Sequence, residues 1–181
     1  MYTELIEKLK MRGVIFANGL TAEEVKNIES VYNVKFSEEL RKFYMCELPV
    51  SEGFYDWRDL SKNNIEKIKS VLETPALDFK RDINDIEWSD SWGEEPDEME
   101  ERNMIIMKRI EDASILIPLY KHRYISTQFD KGNPVFSIYD TDIIYYGENL
   151  IEYFYVEFKF KNHSAIDYAK IKGVNFWSDI I

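Results

Sequence analysis

The hydrophobic pattern of this chain changes period near residue 114. Upstream, apolar residues recur every three to four positions, the spacing of a buried helix face. Downstream, SILIPLY, VFSIY and IIYYG are branched and aromatic runs separated by turn residues, the mark of strands. Helices first, then consecutive strands with short connections, then a last helix, predict an α+β fold. The sheet is expected to be mainly antiparallel and covered by helices.

The helical half carries its own punctuation. Residues 2–12 place Tyr2, Leu5, Ile6 and Leu9 on one stripe. TAEEVKNIESVYNV opens with Thr21 and has Glu24 three residues on, a capping box, followed by a stripe of Val25, Ile28, Val31 and Tyr32. After a break at Phe36, Ser37 caps SEELRKFYM, and the two helices are expected to pack as a hairpin. Ser61 is the expected cap of a third helix, which Pro75 should end. Residues 78–95 lack a steady period and read as a long surface loop holding Trp88 and Trp92. Pro96 suits the first turn of a fourth helix at about 97–111, with Met99, Asn103, Ile106, Met107 and Ile110 on its inner face.

In the strand half, SILIPLY reads as a strand covered on both faces, and KHRYIST as its extended continuation. DKGNP is a turn, and Asp140-Thr141-Asp142 is a tight turn between VFSIY and IIYYG, in which aspartate side chains bond nearby backbone. ENLIEYFYVEFKF reads as the final helix. Residues 1–160 are expected to form one domain. Residues 161–181 form an appendage that packs back through Ile171, Phe176 and Trp177.

Composition adds one strong asymmetry. The net charge is −11, yet residues 82–101, DINDIEWSDSWGEEPDEMEE, hold ten acids and no base. Outside them the chain has 24 acids against 23 bases. Such a protein repels nucleic acid and attracts basic partners. No run reaches the ~20 apolar residues of a membrane-spanning helix. The charged N-terminus lacks the apolar core of a secretory signal, and one cysteine makes no intramolecular disulfide, so a cytoplasmic location is expected.

Catalytic motifs are sparse. Asp140 and Asp142 have the spacing of a metal-binding Asp-x-Asp pair, but a metal needs further carboxylates from the fold. His122 is a candidate general base with Ser126 or Asp130 near it in sequence, but no nucleophile motif surrounds Ser126. Two histidines and one cysteine do not make a structural zinc site, and the seven glycines follow no phosphate-binding spacing. Cys46 is read as a core residue. No cofactor or metal is expected. His122, Arg123 and Tyr124 are read instead as a partner-contacting edge. Trp88 and Trp92 are either aromatic anchors in an acidic surface or rings tucked beneath the loop.

The pattern GLTAEEVKNIESVYNVKFSEELRKFY resembles the opening helices of the SMI1/KNR4 family, also called the SUKH superfamily. Leu20, Thr21, Glu24, Val25, Val34, Phe36, Ser37, Leu40 and Phe43-Tyr44 carry the likeness, with Ser37 where many members have proline. Leu116-Ile117-Pro118, His122-Arg123-Tyr124, Gly132-Asn133-Pro134-Val135, Asp142 to Gly147 and Leu150 resemble the later strands and final helix of a bacterial branch. The likeness spans roughly residues 20–158. It implies an α+β domain that serves many bacteria as the immunity partner of a polymorphic toxin, often a nuclease. It brings no established catalytic residues.

Together these readings give an expected function. The chain binds and neutralises a toxin domain with a basic surface. Glu94, Glu95, Asp97, Glu98, Glu100 and Glu101 steer the encounter, and Trp88 and Trp92 anchor it. The rival expectations are a regulatory interaction module of the cell-wall or signalling type, and an enzyme in which His122, Arg123, Asp140 and Asp142 converge.

Overall fold

A computed structural model describes residues 2–181 of the chain; Met1 of the expected domain lies outside the described residues. The fold is α+β. Its helices are α1 (Tyr2–Met11), α2 (Ala22–Tyr32), α3 (Glu38–Cys46), α4 (Lys62–Arg81), α5 (Met99–Asp112) and α6 (Leu150–Glu157). Strands β1 (Phe16–Asn18) and β2 (Glu47–Pro49) pair as a small antiparallel ribbon. Strands β3 (Leu116–Tyr120), β4 (Arg123–Ser126), β5 (Val135–Tyr139) and β6 (Asp142–Gly147) form an antiparallel meander in chain order. Among the described residues no helix is long and apolar enough to cross a membrane.

Local chemistry sets the helix pair. Thr21 Oγ1 accepts from Glu24 N–H at 3.1 Å, and Glu24 Oε2 accepts from Thr21 N–H at 2.7 Å. Asn33 ends α2 in the left-handed region at φ 52°, and Ser37 Oγ caps α3 through Leu40 N–H. Glu29 closes the connection. Its buried carboxylate accepts from Phe36 N–H, Lys35 Nζ and Arg41 Nη2, each at 3.0 Å. Cys46 is exposed rather than buried. It lies on the outer side of α3, whose inward face is built from Leu40, Phe43 and Tyr44.

Pro75 does not end its helix. α4 runs through it to Arg81, and Pro75 is itself buried. The apolar stripe continues past the proline to Phe79, whose ring meets Phe176 and Trp177 at 5.7 and 5.8 Å. One missing backbone hydrogen bond and a ring clash cost about 3 kcal/mol. Burying a phenylalanine recovers a comparable amount.

The sheet also differs from its sequence reading at one point. LIPLYKHRYIS is not one extended segment but the hairpin β3–β4, turning at Lys121 and His122. Lys121 takes φ 49°, held by donation of its N–H to Gly53 O at 2.8 Å. The turn between β5 and β6 places Asp140 at φ 51°. Neither Asp140 nor Asp142 makes a side-chain bond to backbone among the described residues, so the left-handed residue itself makes this turn.

Hydrogen-bond parity orients the strands. Ser126 N–H donates to Pro134 O and Ile138 N–H to His122 O, so even-numbered residues of β4 face β5. Ile125 therefore pairs inward with Ile117 of β3, and Leu116 and Pro118 point to the outer edge. Proline is tolerated there because no N–H is needed. Side chains then alternate between two cores. Ile117, Leu119, Ile125 and Val135 join the core beneath α1, α2, α3 and α6. Leu116, Tyr124, Phe136, Ile138 and Ile143 join a second core with Ile106, Ile110, Val174, Phe176 and Trp177. Residues 161–181 thus supply part of that second core.

Glu39 fastens the helical layer to the sheet. Its buried carboxylate accepts from Gly132 N–H at 3.1 Å, Asn133 N–H at 2.9 Å and Asn133 Nδ2 at 3.0 Å. Asn133 is fully buried and closes its own loop, bonding Phe129 N–H at 3.0 Å and Phe129 O at 2.6 Å. The Gly-Asn-Pro segment is therefore a structural clasp.

Two measurements check this account. Asn133→Ala removes a donor from Glu39 and leaves Phe129 unpaired, so urea denaturation should show a loss of about 2–4 kcal/mol. Burial pulls the Glu29 carboxyl up, but its bonds to Lys35, Phe36 and Arg41 outweigh burial and hold it below 4.5. A depressed folded-state value gives stability that is present above the unfolded value and lost as pH falls through the folded one. Acid titration of stability should therefore be shallower below about pH 4.5 in Glu29→Gln than in the parent chain.

Candidate partner-binding surface

The acidic segment begins where α4 ends and is held by a few fixed points. Short 3-10 turns occur at Ile83–Asp85 and Asp90–Trp92. Arg102, buried on α5, donates from Nε to Glu95 Oε1 at 2.6 Å and from Nη2 to Ile86 O. Trp88 Nε1 donates to Gly93 O at 2.8 Å. Residues 78–95 are thus a braced segment, in which Phe79, Ile86 and Trp92 belong to the second core.

Trp92 is not a surface anchor. It is 8% exposed, lies parallel to Phe176 at 6.3 Å, and donates from Nε1 to Asp179 at 3.0 Å. The Arg109 guanidinium covers its ring at 5.0 Å. The physical reason is area: a ring this large is buried wherever an apolar pocket exists. Trp88 is half-buried and meets Trp92 edge-on at 5.4 Å.

The carboxylates have the opposite environment. Glu94, Glu95, Asp97, Glu98, Glu100 and Glu101 are all exposed. Only Glu95 has an ion-pair partner among the described residues. Asp85, Glu87 and Asp90, which the sequence reading did not single out, are exposed and unpaired as well. Their signal was their place in the same ten-acid run. Eight of the ten acids of 82–101 therefore carry unneutralised charge, the exceptions being Glu95 and Asp82. α5 starts at Met99, so Glu100 and Glu101 occupy its first turn, next to the positive helix end. Met99 is exposed and Arg102 takes a buried position in its place.

The expected His-Arg-Tyr edge separates into three environments. Tyr124 is buried in the second core, and burial pushes its hydroxyl well above the ordinary tyrosine value. Arg123 turns inward, donating to Glu157 at 2.9 Å and Ser137 at 2.8 Å with its guanidinium 3.8 Å from the Tyr146 ring centre. These contacts satisfy it within the fold, so neither side chain forms a contacting edge. His122 stays partly exposed, edge-on to Tyr139 at 6.2 Å. Burial, then the charges of Arg123 and Lys121, hold His122 below the ordinary histidine value, so it is neutral at neutral pH. Tyr139, 70% exposed, is the aromatic surface residue the sequence reading missed.

These residues do not assemble a catalytic constellation. Asp140 lies 3.7 Å from Arg81, Arg123 is bound to Glu157, and His122 faces Tyr139. Among the described residues no three His, Cys, Asp or Glu side chains gather as a metal site. No protein-family model, no curated protein and no solved structure matches this chain.

The packing of Trp92 has a direct test. Trp92→Ala should cost about 3–5 kcal/mol in thermal or urea unfolding, whereas Trp88→Ala should cost clearly less. Equal losses would place the two rings in equivalent environments and contradict this description.

Proposed function

We propose that this chain is an immunity protein, acting in the cytoplasm, that binds a bacterial toxin domain and occludes its active site. The observation that carries this reading is the acidic surface. Eight exposed carboxylates without ion pairs stand on a segment braced by Arg102 and Trp92, in a chain otherwise near charge balance. An enzyme that handles phosphates, such as a nuclease, needs a basic active site. A fixed acidic surface complements such a site and competes with its substrate. The sequence resemblance to the SMI1/KNR4 family supports the same reading, in which the chain has no catalytic role.

Preorganisation matters here. A mobile acidic loop loses conformational entropy on binding, and a braced one loses less. Under this reading Glu94, Asp97, Glu98, Glu100 and Glu101 steer the partner, and Trp88 rather than Trp92 supplies the aromatic contact.

The direct experiment co-expresses this chain with the C-terminal domain of the protein encoded beside it and counts surviving cells. Rescue from killing, with a complex that co-purifies, is the expected result. Killing without rescue would reject that pairing and favour a regulatory partner. Given a complex, reversing the charge of those five acids should slow association by about 10–100-fold at low salt and flatten its salt dependence. Unchanged association kinetics would remove the acidic segment from the mechanism.

A further inference from the structure

Another feature of the surface does not rest on the function proposed above. Three adjoining hollows of about 530, 280 and 400 Å³ meet beside the start of β3, and Ile115 lines all three. Ile115 is 48% exposed although it immediately precedes a core strand. Val34, beyond the end of α2, and Leu72 and Ala76, on one face of α4, extend its apolar floor. The charge around this floor runs against that of the chain, whose net charge is −11. Lys26 and Lys69 stand exposed at the rim and have no ion pair among the described residues. Lys35 and Lys80 also line the hollow, but Glu29 and Glu111 engage them. Glu73 is the one acid there without a partner among the described residues.

The chain carries the complement of this hollow on α5. Met104 is 67% exposed. Glu100 and Glu101 precede it by one helical turn and Lys108 follows it by one, so the four share an outer face. None of these three charges has an ion pair among the described residues. A flexible apolar side chain flanked by two acids and a base thus matches an aliphatic floor flanked by two free lysines and one free acid.

The two patches lie side by side. Met104 and Glu111 are seven residues apart on α5, which puts them about 10 Å apart and within about 20° of one another around the helix. Glu111 lines the hollow. Met104 cannot reach Ile115 of its own chain, because α5 runs unbroken between Met104 and the hollow. A surface that holds both a hollow and its complement can instead meet a second copy about a two-fold axis, each copy filling the other's hollow. Pairing hollow with hollow is disfavoured, because it sets lysines against lysines.

We propose that this chain forms a two-fold symmetric dimer in which Met104 of each copy packs on Ile115 of the other. Glu100 and Glu101 meet Lys26 and Lys69 across the contact, and Lys108 meets Glu73. Methionine suits this role, since its unbranched side chain fills an irregular hollow. The contact is small, so its Kd is on the order of 0.1 mM. The dimer covers Glu100 and Glu101, so a basic partner of the acidic surface competes with self-association.

Sedimentation equilibrium of the full chain, from about 0.01 to about 1 mM, tests the dimer. The parent should pass from monomer to dimer mass and go no further, with affinity about tenfold lower at about 1 M salt than at low salt. Lys26→Glu with Lys69→Glu sets like charges across the contact, and so does Glu100→Lys with Glu101→Lys. Each double variant should lose affinity for itself by about tenfold or more. All four positions are exposed, so the substitutions leave the core intact. An equimolar mixture of the two double variants should recover the dimer, because each hollow again meets opposite charge. Both variants stay net acidic, so bulk attraction does not account for that recovery. Met104→Ser should weaken the parent dimer by about tenfold. The proposal is overturned by a parent that stays monomeric at about 1 mM, or by a mass that grows past the dimer. A mixture no more associated than its components, or a double variant that dimerises as the parent does, would overturn it as well.

Discussion

A carboxylate taken out of water needs several donors, or the fold that buries it does not form. Glu39 meets this condition with three N–H groups from Gly132 and Asn133, more than ninety residues away in sequence. The bonds join α3 to the loop that begins β5. That position fixes where β5 starts, and so which of its residues face each core. A slip of one residue in β5 would exchange Val135 and Phe136 between the two cores, which differ in depth and in neighbours. The clasp is thus a constraint on register as well as a link between layers.

The same device recurs at two other junctions. Glu29 closes the connection between α2 and α3. Glu148, buried after β6, accepts from Lys161 and from Asp167 N–H, and so ties the C-terminal segment to the start of α6. Burial raises the Glu148 carboxyl, but these bonds outweigh it and keep the group below its ordinary value. Each carboxylate accepts two or more donors from residues outside its own helix turn. An acidic chain here uses buried acids as junction acceptors, because one carboxylate can receive donors from several directions at once. Removing Glu39 or Glu29 leaves a buried backbone N–H, of Asn133 or Phe36, without its partner, which costs more than the bond itself contributes; at Glu148 the orphaned Asp167 N–H is part-buried.

Local signals in the sequence translated well, and contextual ones did not. The helix pair was readable because a capping box and a serine cap lie within four residues of the backbone they bond. The meander was readable because its runs are short and branched. The hairpin at Lys121 and His122 was not, because neither residue is a turn former and the left-handed φ is held by Gly53, far away in sequence. Pro75 was misread for a similar reason: the gain that carries α4 past it comes from Phe176 and Trp177, a hundred residues on. The acidic surface was legible as charge, since composition alone located it. Its tryptophans were ambiguous, because whether a ring packs inward depends on Phe176, Asp179 and Arg109, which no local pattern connects to Trp92. Arg123 and Tyr124 were read as one edge because they are adjacent, but adjacent strand residues point to opposite faces.

The electrostatics of the acidic segment set it apart from ordinary surface charge. Elsewhere the chain pairs its charges freely, with ion pairs such as Glu24 with Arg58 and Glu152 with Lys161. Along 82–101 the fold supplies two cations, Arg81 and Arg102, and leaves eight acids repelling one another across the described surface. Such repulsion works against the compact state. It is offset here by anchoring: Ile86 and Trp92 are buried, and Arg102 bridges Ile86 and Glu95. Solubility alone is served equally well by a mobile acidic tail, which needs no buried tryptophan and no arginine brace. Rigid placement of like charges has a physical advantage when a complementary surface must meet them in a fixed geometry, because the ordering cost is then met on folding instead of on binding. Under the proposed function, the second core is what converts a run of acids into a defined surface, and the C-terminal residues that complete that core become part of how the surface works.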